Sequence, residues 1–343
     1  MIIKEPLTIK EQVKRLASRG LEIDDVEELE TWLKNVGYYR LSGYWWVYED
    51  KYPNVSPRNH KFKPDISWKK IKHTYIFDQK FRNTMFTAIE KIEVALKSLW
   101  AQHLSTTYNT SHPHERKDLF KDEIYHNKNP YTTLINNYKD SKEPYAIHYR
   151  TKYPELKTPP IWVVTLILTL GDFSNWLKAT PSKDCKAIVK DFPYSQKEII
   201  SILSHLRWVR NVCAHNGRLW NKRTPFVFEA PNSAKARLIF SKKDPAKLDS
   251  KIYNTIIVMS DILKVIDPNY PFTYFIKDMI QKNKHIDAEH MGFPSNWLEL
   301  DEWKNPTPEH KYNKKRTSHK QNKKPITLNP ITPLFHSRLW RKN

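Results

Sequence analysis

Six glycines in 343 residues leave few places where this chain can turn sharply at positive φ. Tight β-hairpins favour such residues, so the scarcity argues against an all-β fold with many turns and points to helices. Prolines punctuate it instead, at "YPNVSP", "KTPP" and "NPITPL", between segments of helical periodicity.

"TIKEQVKRLASRG" carries Ile9, Val13 and Leu16 at helical spacing and stops at Gly20. "DDVEELETWLKNV" predicts a second helix, with Asp24 or Asp25 as N-cap, acids in its first turn and Gly37 after its end. "GYYRLSGYWWVYED" is an aromatic cluster around Arg40, read as a small hydrophobic subdomain in preference to a base-stacking platform. From His73 to Leu104 a long amphipathic helix places Phe77, Phe81, Met85, Ala88, Ile92, Ala95 and Leu99 on one stripe. Its other faces hold Arg82, Glu90, Glu93 and Lys97. "HPHERKDLF" and the Asn/Tyr/Lys-rich stretch to Lys157 read as an irregular insertion with short helices. His112 and His114 there are expected to be solvated, since no further metal ligands stand at a recognisable spacing. The apolar run Ile161–Ala179 predicts one buried helix with Pro160 near its first turn, and "LDSKIYNTIIVMSDILKVI" another that ends before Pro268.

Charge bounds the partners. Lys and Arg number 58 against 37 Asp and Glu, a net +21, with a pI near 9.6. A polyanion is the first physical reading, and 13% aromatic residues beside that charge favour nucleic acid, because bases stack on rings while phosphates pair with cations. Ten of the basic residues and no acids fall in Lys311 to Asn343, an expected polyanion-binding arm in which Lys314, Lys315 and Arg316 stand together. Only Cys185 and Cys213 are present, so no disulfide framework exists and a reducing cytoplasm is expected. The start lacks the apolar core of a signal peptide, and "IWVVTLILTL" is about half a membrane span, so no membrane partner is expected.

The chemistry concentrates in "RNVCAHNGRLWN", Arg210 to Asn221, on a helix predicted from about Ser195. At 100° per residue, Ile199, Ile202, Leu206, Val209 and Cys213 gather on one stripe. Arg207, Asn211, His215 and Arg218 lie opposite, with Arg210 at the edge. From Ser201 to Arg223 there is no acid to offset the arginines. Asn211 and His215 are i,i+4 neighbours, close enough for the amide to orient the imidazole. Three readings are open at this point. His215 and Asn221 serve as helix-end hydrogen bonders beside solvated arginines; Cys213 and His215 form a thiol–imidazole pair, disfavoured because i,i+2 residues face apart; or His215 acts as acid or base at a phosphodiester while Arg210 neutralises the phosphorane.

The same motif resembles the signature of the Abi (AbiD/AbiF-like) abortive-infection proteins, a branch of the HEPN superfamily, with Arg210, Asn211 and His215 in the Arg–polar–gap–His pattern and Arg218 and Asn221 in its extension. "LASRGLEIDD", "VGYYRLSGYWW", "YIFDQKFRNTMFTAIEKIEVALKS", "PPIWVVTLILTLGDFSNW" and "MGFPSNWLELDEW" follow the family's order, a resemblance over roughly residues 5 to 305. Where that family often holds an acid after "PxW", this chain has Thr165 and Leu166, so no accessory role is carried over there. The resemblance implies a mainly α fold: a HEPN-like four-helix core at 65–268 with an insertion near 105–158, a helical, aromatic-rich subdomain at 1–64 and a packing segment at 269–310; the basic tail at 311–343 lies outside it. It implies a metal-independent endoribonuclease of anti-phage, toxin-like action, needing no cofactor because RNA supplies its own 2′-OH nucleophile. Arg210, Asn211 and His215 would be catalytic, with Arg207, Arg218 and Asn221 holding phosphate. Imidazole titrates near neutrality and arginine grips two phosphate oxygens, which suits those roles. It further implies a homodimer and restraint by an antitoxin RNA or protein. A non-catalytic RNA-binding module using the same Arg/His face is the alternative.

Overall fold

The computed structural model describes residues 5–50, 52, 59–121, 124, 130–304 and 306. The basic tail, with Lys314, Lys315 and Arg316, therefore lies outside the described residues. The fold is mainly α. Among the described residues there is no β-strand, only isolated bridges such as Glu22 with Ser67.

Two capped helices open the chain, α1 (Ile9–Ser18) and α2 (Val26–Asn35), and Asp25 is the N-cap of the second, accepting the Glu28 N–H. Gly37 adopts φ 91°, a conformation that costs an L side chain, and this turn starts α3 (Tyr38–Trp45). Tyr44, Trp45 and Tyr48 are buried, so the aromatic cluster is chiefly core.

The axis of the molecule is α4 (Trp68–Thr107), 40 residues and so roughly 60 Å long. The helices that follow are α5 (Pro130–Asp140), α6 (Pro144–Lys152), α7 (Ile161–Ile167), α8 (Leu170–Ala179), α9 (Ser182–Ile188), α10 (Gln196–Ala214), α11 (Tyr253–Ile266), α12 (Phe272–Lys282) and the short α13 (Asp301–Lys304). Helices α3, α7, α8, α9, α10, α11 and α12 all pack against α4. One continuous apolar core runs from Val13 to Trp303.

Being contacted on several sides, α4 departs from the single stripe expected of it. Phe77, Phe81, Met85, Ala88 and Ile92 are buried, but so is Ile89 beside them, and beyond Ile92 the buried line passes through Leu96, Trp100 and Leu104 while Leu99 is exposed. Arg82 and Lys97, expected on outer faces, are buried. Each has a partner that allows it: Arg82 pairs with Asp78, and Lys97 donates to Glu93 and, at 2.5 Å, to the Leu168 carbonyl.

The Leu168 contact explains a second difference. The expected single helix Ile161–Ala179 breaks between α7 and α8, because Thr169 and Asp172 form a capping box that starts a new helix. Lys97 satisfies the carbonyl left open at the break. A third concerns His114, which is fully buried and not solvated: its Nε2 lies 2.8 Å from the Thr158 hydroxyl, and burial pushes its pKa down to about 3.

Candidate phosphate site at the end of α10

A capping box of Ser195 and Glu198 starts α10, as the sequence Ser-x-x-Glu dictates. Ile199, Ile202, Leu206, Val209 and Cys213 are all buried, the stripe expected. His205, between two of them, is also buried: its Nδ1–H donates to the Phe226 carbonyl, its Nε2 accepts from Thr255, and burial lowers its pKa to about 4. It is a neutral packing residue. Burial pushes the Cys213 thiol up to about 12, so a thiolate mechanism has no support.

The helix ends inside the motif. His215 is the C-cap, and its N–H reaches the Asn211 carbonyl at 3.0 Å. Asn216 takes φ 55°, its N–H bonding the Cys213 carbonyl, and the Gly217 N–H bonds the Val212 carbonyl at 2.8 Å. This is a Schellman stop with asparagine in the left-handed position. "CAHNG" is therefore a helix terminator, and it leaves His215 exposed on the last turn.

Arg207, Arg210 and Asn211 occupy i, i+3 and i+4 of the outward face, and His215 follows four residues after Asn211. Arg207 is exposed and its stem crosses Gly171 of α8; a Cβ there would lie 2.8 Å from Nε, so glycine makes room for it. Arg210 and Asn211 are half-buried. Among the described residues, the side chains of Arg207, Arg210, Asn211 and His215 make no hydrogen bond or ion pair, and the Asn211–His215 link is a backbone one.

Arg218 and Asn221 do not continue that face, because the helix has ended before them. Arg218 turns inward against Gly43 of α3, and burial pulls its pKa below the ordinary arginine range. Its Nη1 is buried with no hydrogen-bond partner. Asn221, at φ 49°, donates to the Tyr52 hydroxyl at 3.4 Å.

Residues far away in sequence fix this loop. Asp78 of α4 is fully buried and accepts from the Leu219 N–H (3.1 Å), the Trp220 N–H (2.6 Å), the Tyr44 hydroxyl (2.7 Å) and Arg82. Burial works against the Arg82 charge, but the adjacent Asp78 carboxylate more than offsets it and holds the guanidinium above its ordinary range. Arg40 of α3 donates to the Asn216 carbonyl. Asp78, Arg82 and Arg40 were not expected at the site, and no local periodicity signals contacts across 141 or 176 residues. Among the described residues no group of three or more His, Cys, Asp or Glu side chains is placed to hold a metal ion, and no helix is long and apolar enough to cross a membrane.

Fold and site together define a helical protein that presents an acid-free Arg–Asn–His face at the capped end of a bundle helix. The chain belongs to the Abi family: the sequence model of the Abi-like proteins matches it over residues 31–221, from α2 to the last residue of the motif. No curated protein matches the chain, and no solved structure does.

Proposed function

We propose that this Abi-family protein acts in abortive infection as a metal-independent endoribonuclease of the HEPN type. One observation carries the reading: arginines, an amide and an exposed imidazole with unused hydrogen-bonding capacity share one face, at a helix end built to hold them. A phosphodiester is the ligand that would fill those donors.

In the proposed reaction the RNA 2′-oxygen attacks phosphorus and loses its proton to an imidazole. The bond from phosphorus to the 5′-oxygen breaks, and that oxygen receives a proton. The products are a 2′,3′-cyclic phosphate and a 5′-hydroxyl. Arg210 stabilises the added negative charge on the non-bridging oxygens. One imidazole per chain is exposed here, so we assign the second proton-transfer group to a second copy, with the two motif helices near a twofold axis. Arg207 is placed to position the flanking phosphate, and a restraining RNA or protein would have to cover this face.

The test is cleavage of labelled RNA by folded variants in excess EDTA, with the product ends analysed. General acid–base catalysis contributes roughly 10²–10⁴-fold, so His215→Ala should lose activity on that scale and Arg210→Ala nearly as much. Arg210→Lys should recover little, and Cys213→Ser should stay active. Full cleavage by His215→Ala, dependence on added metal, or 5′-phosphate products would each reject the mechanism. The solitary exposed imidazole also suits a non-catalytic RNA-binding module, and tight binding without cleavage by wild type would establish that instead.

A further inference from the structure

The aromatic residues of "GYYRLSGYWW" are mostly core, with one exception. Tyr39 is 92% exposed, and no ring or cation among the described residues lies against it. One exposed ring is ordinary by itself, and its position on α3 is what gives it meaning.

Its place on α3 indicates what that occupant is. Arg40 follows Tyr39 directly, and Gly43 stands one turn on, at i+4 from Tyr39 and i+3 from Arg40. Both neighbours touch the motif loop: Arg40 donates to the Asn216 carbonyl, beside His215, and the Arg218 guanidinium packs 3.5 Å from where a Cβ on Gly43 would stand. Tyr39 therefore shares a side of α3 with two residues that meet the motif loop, on a helix that the buried Tyr44–Asp78 hydrogen bond holds in place.

We propose that Tyr39 is a stacking platform for an unpaired base next to the phosphate held at the end of α10. This rests on the phosphate-site reading above. A duplex keeps its bases stacked on each other and offers no free face, whereas an unpaired base can swing onto a ring while its phosphate meets the arginines. An exposed tyrosine meeting a protein would lack that reason to stand beside an acid-free cationic loop.

The experiment uses the full chain carrying His215→Ala, so that RNA is not consumed, with and without Tyr39→Ala, Tyr39→Phe or Tyr39→Trp. Affinity is measured by fluorescence anisotropy at fixed salt for an unstructured oligouridylate and for a blunt RNA duplex of equal length. Tyr39→Ala should weaken single-strand binding on the order of tenfold, since stacking on one ring contributes at that level, while duplex binding is unchanged. Phe and Trp should restore it. The exposed side chain leaves thermal stability untouched, which a melting curve checks. Equal losses on single strand and duplex, unchanged single-strand affinity, or no single-strand binding by the parent would overturn the proposal. So would a changed light-scattering mass with RNA affinity intact, which would make Tyr39 a contact between copies. If wild type cleaves nothing yet Tyr39→Ala still loses single-strand affinity, the stacking site stands and the nuclease reading falls. If cleavage is confirmed and Tyr39→Ala binds normally, only the stacking site falls.

Discussion

At Asp78, four hydrogen bonds converge on one carboxylate out of reach of solvent. Removing it would strand the Arg82 charge and two backbone N–H groups in the core. Asp78→Ala should therefore cost about 3–5 kcal/mol of stability, the scale of breaking a buried pair from one side. Urea unfolding measures this, and a loss below about 1 kcal/mol would mean that water reaches the pair after all. The residues of this network show what single-letter reading can and cannot give. Ile199, Ile202, Leu206, Val209 and Cys213 were legible because a helical repeat writes burial locally. Asp78 was not, because its partners come from α3 and from the loop after α10. Arg82 looked like a surface cation although Asp78 stands four residues before it, because an i,i+4 ion pair on a helix is ordinarily solvent-exposed.

At the scale of elements, helix ends decided more than helix bodies. The break after α7 was spelled by Thr169 and Asp172, yet the apolar run around them read as one helix. Likewise, Asn216-Gly217 marked a stop that moved Arg218 and Asn221 off the α10 face. The stop can be tested at Asn216, whose φ of 55° suits asparagine or glycine and strains a β-branched side chain. Asn216→Val should cost about 1–2 kcal/mol, the ordinary penalty of a left-handed L-residue. It should also lower RNA cleavage by displacing the His215 turn, while Asn216→Gly stays near wild type in both. Thermal melts and cleavage rates on the pair decide it; equal behaviour of valine and glycine would show that the cap does not hold the imidazole.

The whole molecule carries a pH signature independent of its site. Burial holds His205 at about 4 and His114 at about 3, below the ordinary 6.5, so the unfolded chain binds more protons than the folded one in acid. Stability is then complete above about pH 6.5 and falls below it, by about 1.4 kcal/mol per pH unit for each histidine, until the folded values are reached. Urea midpoints should drop steeply from pH 7 to pH 5, and His205→Gln should flatten part of the slope. A flat profile would mean that both imidazoles can be charged in place. The mainly α character was legible from glycine scarcity and periodicity alone. The wrapping of α4 on several sides was not, because a helix buried on several sides has no single stripe to read.

The Asp78 clamp has one more consequence, for how the protein breathes. The amide protons of Leu219 and Trp220 are locked by a carboxylate that Tyr44 also holds, so they exchange with solvent only when that clamp opens. Their deuterium uptake therefore reports from within the motif loop on whether α3 is seated. Any partner that pries α3 away would unlatch this loop before touching His215, a way to silence the face by leverage on its far wall.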